Sequence, residues 1–99
     1  MTGIAETAYQ ILSKHPLCDT CLGRQFARIS TGFTNRERGY AIKLVLLMEA
    51  IARGDVEKLA ILTVNGGMEA AATELEKLGV ERPASKPCSV CGGRLSDEV

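Results

Sequence analysis

The sequence predicts a mainly α fold, a small helical domain closed on itself by two C-x-x-C knuckles. Three observations carry that reading. The only four cysteines fall in two pairs, Cys18/Cys21 and Cys88/Cys91, near opposite ends of the chain. Between them, apolar residues recur at helical spacing, with capping residues and glycines where helices start and stop. Finally, 99 residues with 45% hydrophobic but only 4% aromatic side chains provide one thin aliphatic core, which a covalent or metal staple would reinforce.

The elements follow in order. Ile4, Ala8, Ile11 and Leu12 mark a first helix that Pro16 ends near His15. The first cysteine knuckle comes next. Thr34-Asn35-Arg36-Glu37 is a capping box. Behind it Tyr40, Leu44, Leu47, Met48 and Ile51, widened by Ala41 and Val45, form one apolar stripe, so a long helix is expected over about residues 35–53, stopped by Gly54. Leu59 to Val64 is a short apolar run that fits a buried helix or a strand. Helix is the better reading, because Asp55 can cap it and a lone strand has no partner. Asn65-Gly66-Gly67 reads as a turn. Met68, Ala71, Ala72, Leu75 and Leu78 form a last helical stripe that Gly79 ends. From Val80 to Pro87 an extended connector brings Cys88 and Cys91 back to the first pair.

Two C-x-x-C turns each aim two sulfurs at one point, the arrangement of a tetrahedral four-thiolate zinc site. Glycine follows each pair, in Cys21-Leu22-Gly23 and Cys91-Gly92-Gly93, where it would let the backbone turn and point amides at the sulfurs. One structural zinc ion on Cys18, Cys21, Cys88 and Cys91 is the reading preferred over three rivals. A disulfide framework suits a secreted chain, and no signal peptide opens this one. A redox pair would sit in a βαβ setting, which is missing. Iron in a rubredoxin-like site uses the same ligands, and sequence does not separate it from zinc. A catalytic zinc keeps an open position, which four thiolates do not leave. His15 is the only histidine and reads as a helix-end residue, and Asp19 as an exposed turn residue. The glycines at 66 and 67 lack a phosphate-loop signature. No nucleophile–base pair can be assembled, so the chain taken alone does not read as an enzyme.

Formal charge is zero, from 12 basic and 12 acidic residues, but it is unevenly placed. Arg24, Arg28, Arg36, Arg38 and Lys43 are opposed only by Glu37 in their segment. They are the candidate RNA-binding residues, expected on one exposed surface near the metal, with the amides at the start of the long helix helping to hold phosphate. The competing view is an ordinary solvated face. No apolar run is long enough to span a membrane, and the charged surface suits a cytoplasmic protein.

The string Cys18-Asp19-Thr20-Cys21-Leu22-Gly23-Arg24-Gln25-Phe26, followed by Gly32-Phe33-Thr34-Asn35-Arg36-Glu37-Arg38-Gly39 and later by Cys88-Ser89-Val90-Cys91-Gly92-Gly93, resembles the amino-terminal region of archaeal THUMP-containing tRNA pseudouridine synthases that act on the TΨC arm. The resemblance covers nearly the whole chain. It implies a zinc-binding accessory module that joins a THUMP domain in holding tRNA, while a separate domain with a catalytic aspartate isomerises uridine. On that reading residues 1–99 are one accessory domain, a fragment or a split-gene product, with THUMP and catalytic domains absent. Asp19, Asp55 and Asp97 do not match the catalytic motif. Two functions follow: an accessory module contributing to tRNA binding, or a zinc-stapled module that docks protein domains and touches no RNA. A small iron redox protein ranks third.

Overall fold

Apolar spacing and end signals resolve into five helices in the computed structural model, which describes residues 3–28, 32–65 and 68–92. Helix α1 (Ile4–Lys14) is capped at its end by His15 in extended conformation, ahead of Pro16. Helix α3 (Asn35–Arg53) begins with both halves of the expected capping box. Thr34 Oγ1 accepts from the Glu37 amide at 3.1 Å, and Glu37 Oε1 accepts from the Thr34 amide at 2.9 Å. It stops at Gly54, which sits at φ 61°, left-handed backbone that favours glycine. The ambiguous apolar run is helix α4 (Val56–Val64), with Asp55 Oδ1 accepting from the Lys58 amide. Helix α5 (Glu69–Lys77) follows, and residues 80–88 run without regular structure. Asn65 caps the end of α4, while Gly66 and Gly67 of the expected turn, with Gly93 and Asp97, lie outside the described residues.

Helix α2 (Asp19–Gln25) was not expected from the sequence. Seven residues are too few for periodicity, and Gly23 lowers helix propensity. Its start is set instead by Cys18, whose sulfur takes the place of a capping oxygen.

Helix α3 packs against all four other helices. Leu12, Leu22, Leu46, Ala50, Leu59, Leu62, Ala71 and Leu75 meet around it as a buried aliphatic core. The face of α3 turned to this core shares only Leu47, and Leu44 at its edge, with the predicted stripe. Gly39, Ile42, Lys43, Leu46, Leu47 and Ala50 point inward, whereas Tyr40, Val45, Met48 and Ile51 are exposed. From Tyr40 onward apolar residues fall on both sides of the helix, so periodicity alone could not say which side faces in. Leu78, assigned to the α5 stripe, is exposed as well.

The tightest junction is between α2 and α3. A Cβ on Gly23 would overlap the Asn35 carbonyl oxygen and lie 2.9 Å from the Gly39 amide nitrogen. One on Gly39 would overlap the Asp19 carbonyl and lie 2.9 Å from the Gly23 amide nitrogen. Two backbones therefore meet directly where any side chain would separate them. Gly23 is not a turn glycine, as the sequence reading had it, but a helical residue that permits this crossing. Gly23→Ala and Gly39→Ala should each cost about 3 kcal/mol, the upper range for overpacking, lowering the melting temperature by roughly 10 °C or more. Gly32→Ala, with nothing within 4 Å of the added carbon, should leave the melt unchanged in the same circular-dichroism series.

Candidate metal centre

The first knuckle is built on one residue, Leu17. Its amide donates to Asn65 Oδ1 at 2.8 Å, and its carbonyl accepts from Lys43 Nζ at 2.8 Å. The backbone entering Cys18 is thus held on both sides from α3 and from the end of α4. Lys43 is 1% exposed, and its ammonium also lies 2.9 Å from Asp19 Oδ1. A buried cation without partners would be strongly disfavoured. Here one carboxylate and one carbonyl satisfy it. Asp19 is therefore a half-buried structural counter-ion rather than an exposed turn residue. Cys18 then caps α2, its Sγ accepting from the Cys21 amide at 3.4 Å, and the first turn of α2 carries Cys21 back beside it.

The second knuckle arrives on the connector after α5. Arg82 forks onto Glu69 with contacts of 3.2 and 2.8 Å, an exposed pair that orients more than it stabilises. Two backbone bonds then fix the path, Lys86 N–H to Val64 O at 3.0 Å and Ser89 N–H to Pro16 O at 2.8 Å. The turn closes with Gly92 N–H donating to Cys88 O at 2.9 Å, Gly92 taking φ 72°. This glycine plays the turn role expected of it.

The four sulfurs lie within 4.8 Å of one another, with Cys18 Sγ and Cys91 Sγ 3.9 Å apart. Four sulfurs about 2.3 Å from one tetrahedral ion would sit ~3.8 Å apart. All four cysteines are free thiols, so the cluster is not a pair of disulfides. Cys18, Cys21 and Cys88 are buried and Cys91 is exposed. Burial, reinforced by the neighbouring sulfurs, pushes Cys21 up to about 12, and burial likewise raises Cys18. Burial also opposes ionisation of Cys88, but the backbone amides of Cys91, Cys18 and Val90 outweigh it and lower that thiol to about 6. Four sulfur donors that converge on one point, one of them ready to ionise, are a donor set that fits a cation. It could hold one metal ion.

The candidate basic residues divide. Arg24 at the end of α2, Arg28 in the turn beyond and Arg36 in the first turn of α3 are exposed. Arg38 and Lys43 are not on that surface. The Arg38 guanidinium turns inward to the carbonyls of Gly23 (3.0 Å) and Phe33 (2.9 Å) and to Asn35 Oδ1 (2.6 Å), bracing α2 against the start of α3. The start of α3 is also less inviting to phosphate than expected, because Glu37 closes the capping box there. Sequence reasoning missed the roles of Asn65 and Lys43. A signal for Lys43 existed: it shares the helical spacing of Gly39, Leu46, Leu47 and Ala50. Among the described residues, no helix is long and apolar enough to cross a membrane.

No family model and no solved structure matches the chain. Curated relatives do. It is 45% identical, over 97% of its length, to the tRNA pseudouridine synthase Pus10 of Aeropyrum pernix, of which it spans 23%. The corresponding protein of Thermosphaera aggregans is 42% identical over 96% of the chain and 22% of the relative. That of Methanopyrus kandleri is 44% identical over 87% of the chain and 19% of the relative. The chain thus spans about a quarter or less of the relatives it matches.

Cobalt(II) titration should give one ion per chain with the absorption bands of tetrahedral thiolate, and Cys88→Ser should abolish them. Binding must expel protons at least from Cys18 and Cys21, whose thiols are held protonated at neutral pH. Affinity should therefore fall as pH falls, by at least about a hundredfold per unit for two protons released. Lys43→Met removes the partner of Asp19 and of the Leu17 carbonyl. It should cost about 3 kcal/mol in the melt, the scale for breaking a buried pair, and weaken cobalt binding.

Proposed function

Since the chain is homologous over nearly its whole length to the N-terminal quarter of the archaeal tRNA pseudouridine synthase Pus10, we propose that it is the zinc-stapled accessory module of such an enzyme, contributing to tRNA binding beside a THUMP domain in the same polypeptide. The observation that carries this reading is the convergence of Cys18, Cys21, Cys88 and Cys91 to within 4.8 Å, in a chain whose relatives are named for their action on tRNA. Residues 1–99 form one domain on this reading, and uridine isomerisation belongs to a part of the longer protein outside it.

Zinc is the ion that fits best. It has no redox chemistry and no ligand-field preference, and four thiolates close its coordination shell. Its role is then structural, holding the connector after α5 to the first knuckle. Iron would be accommodated by the same sulfurs, and elemental analysis of protein purified without added metal distinguishes the two. The setting is cytoplasmic, where reduced thiols are available to a metal.

Arg24, Arg28 and Arg36 support the RNA half of the proposal. All three are exposed, and α2 links the first of them directly to the Cys18/Cys21 knuckle. With Arg38 and Lys43 engaged inside, three phosphate contacts are the natural ceiling. The alternative, a module that docks protein and leaves RNA alone, draws support from the exposed apolar side of α3.

Binding of tRNA to the isolated chain, read by fluorescence anisotropy, should be weak and fall with salt at a log–log slope of roughly −2 to −3 for three contacts. Arg24→Glu with Arg36→Glu should remove most of it without changing metal content. Undiminished binding by that variant would remove the RNA half of the reading. The chain alone should release no tritium from uridine-labelled tRNA. Release in excess of the protein present would place catalysis inside these residues.

A further inference from the structure

From Tyr40 onward, past the charged first turn that carries Glu37, the outward side of α3 is apolar. Tyr40, Ala41, Leu44, Val45, Met48, Ile51 and Ala52 fall within an arc of about 140° at 3.6 residues per turn, and none of them is charged. Tyr40, Val45, Met48 and Ile51 are all exposed, Met48 at 69%. Beside this stripe, α1 and α3 enclose a groove of about 410 Å³ lined by Ile4, Phe33, Ala41, Ile42 and Val45. Its two charged lining residues, Glu37 and Arg38, are both engaged elsewhere, Glu37 in the capping box and Arg38 with the carbonyls of Gly23 and Phe33. A continuous patch of this kind marks an interaction surface.

We propose that the outward face of α3, with the α1–α3 groove, is the seat of a folded domain from the remaining length of the longer polypeptide. The inference deepens the module reading above and rests on it. Two facts select this occupant. The relatives carry about three-quarters of their length outside the matched segment, so a partner is covalently present at high effective concentration and a single helix face suffices to hold it. The face also offers no cation to phosphate, which disfavours RNA here and leaves Arg24, Arg28 and Arg36 as a separate charged surface. The seated surface must itself be apolar, with one or two side chains filling the groove.

Methionine oxidation reads the proposal directly, because Met48 is 69% exposed and Met68 is 5% exposed. The 99-residue chain is compared with the same chain joined to the remaining length of the Aeropyrum pernix relative, in place of that protein's own matching segment. Both are treated with hydrogen peroxide and followed by peptide mass spectrometry. Met48 should oxidise at least tenfold more slowly in the long protein, with Met68 slow in both. Val45→Glu in the long protein should restore rapid Met48 oxidation while cobalt binding is kept. Equal Met48 rates in the two proteins would overturn the proposal. So would a short chain that is dimeric by light scattering with Met48 already protected, since a second copy would then occupy the face. Neither readout involves tRNA, so loss of the RNA reading and loss of the docking surface are told apart.

Discussion

The direct contact of backbone with backbone at Gly23 and Gly39 is the constraint on which the rest of the domain depends. It brings α2 against α3 closely enough for the side chains on either side of the crossing to reach across. Arg38 then finds the Gly23 carbonyl, and Lys43 finds both Asp19 and the Leu17 carbonyl. Were the axes pushed apart by a methyl group, these polar contacts would lengthen together, and Lys43 would be left as a buried cation with weakened partners. The position of the Cys18/Cys21 pair follows from this packing, because Leu17 is fixed before Cys18 and α2 is fixed after it.

Charge is handled the same way throughout the interior. Among the described residues, every buried side-chain nitrogen and oxygen atom has a hydrogen-bond partner. Asn65 is fully buried, yet its oxygen accepts from Leu17 and its nitrogen donates to the Ile61 carbonyl. The two inward-turned cations, Arg38 and Lys43, both serve α2, one at the Gly23 carbonyl near its end and one at its first residue. The thiols are the part of the interior where opposing electrostatic effects meet. Burial raises two of them while backbone amides lower a third. A divalent cation would resolve that conflict by favouring the thiolate form of its sulfur ligands.

Much of this was legible in the sequence where the signal is local. The capping box from Thr34 to Glu37, the stop at Gly54, the cap at Asp55 and the break at Pro16 all act within a few residues, and each marks a helix boundary in the structure. The pairing of the cysteines was legible because two C-x-x-C turns can satisfy one ion. What failed depends on tertiary contact. The side of α3 that faces the core is chosen by α2, and α2 itself was hidden by its short length and its glycine. The five clustered cations looked alike in the sequence. Only packing separates the inward pair, Arg38 and Lys43, from the three that meet solvent.

The few ties that hold the second knuckle have a consequence for the order in which the domain assembles. Residues 17 to 43 contain α2, its crossing with α3 and both inward cations, so their contacts close over short stretches of chain and form early. The Cys88/Cys91 turn must return across most of the sequence, and besides its sulfurs the final approach is anchored by the Lys86–Val64 and Ser89–Pro16 backbone bonds. Closing so long a loop is entropically slow for so small a reward. The Cys18/Cys21 pair thus stands as a preformed half-site, and an ion captured there would recruit the late-arriving half. Metal supply, rather than helix formation, would then time the completion of the fold.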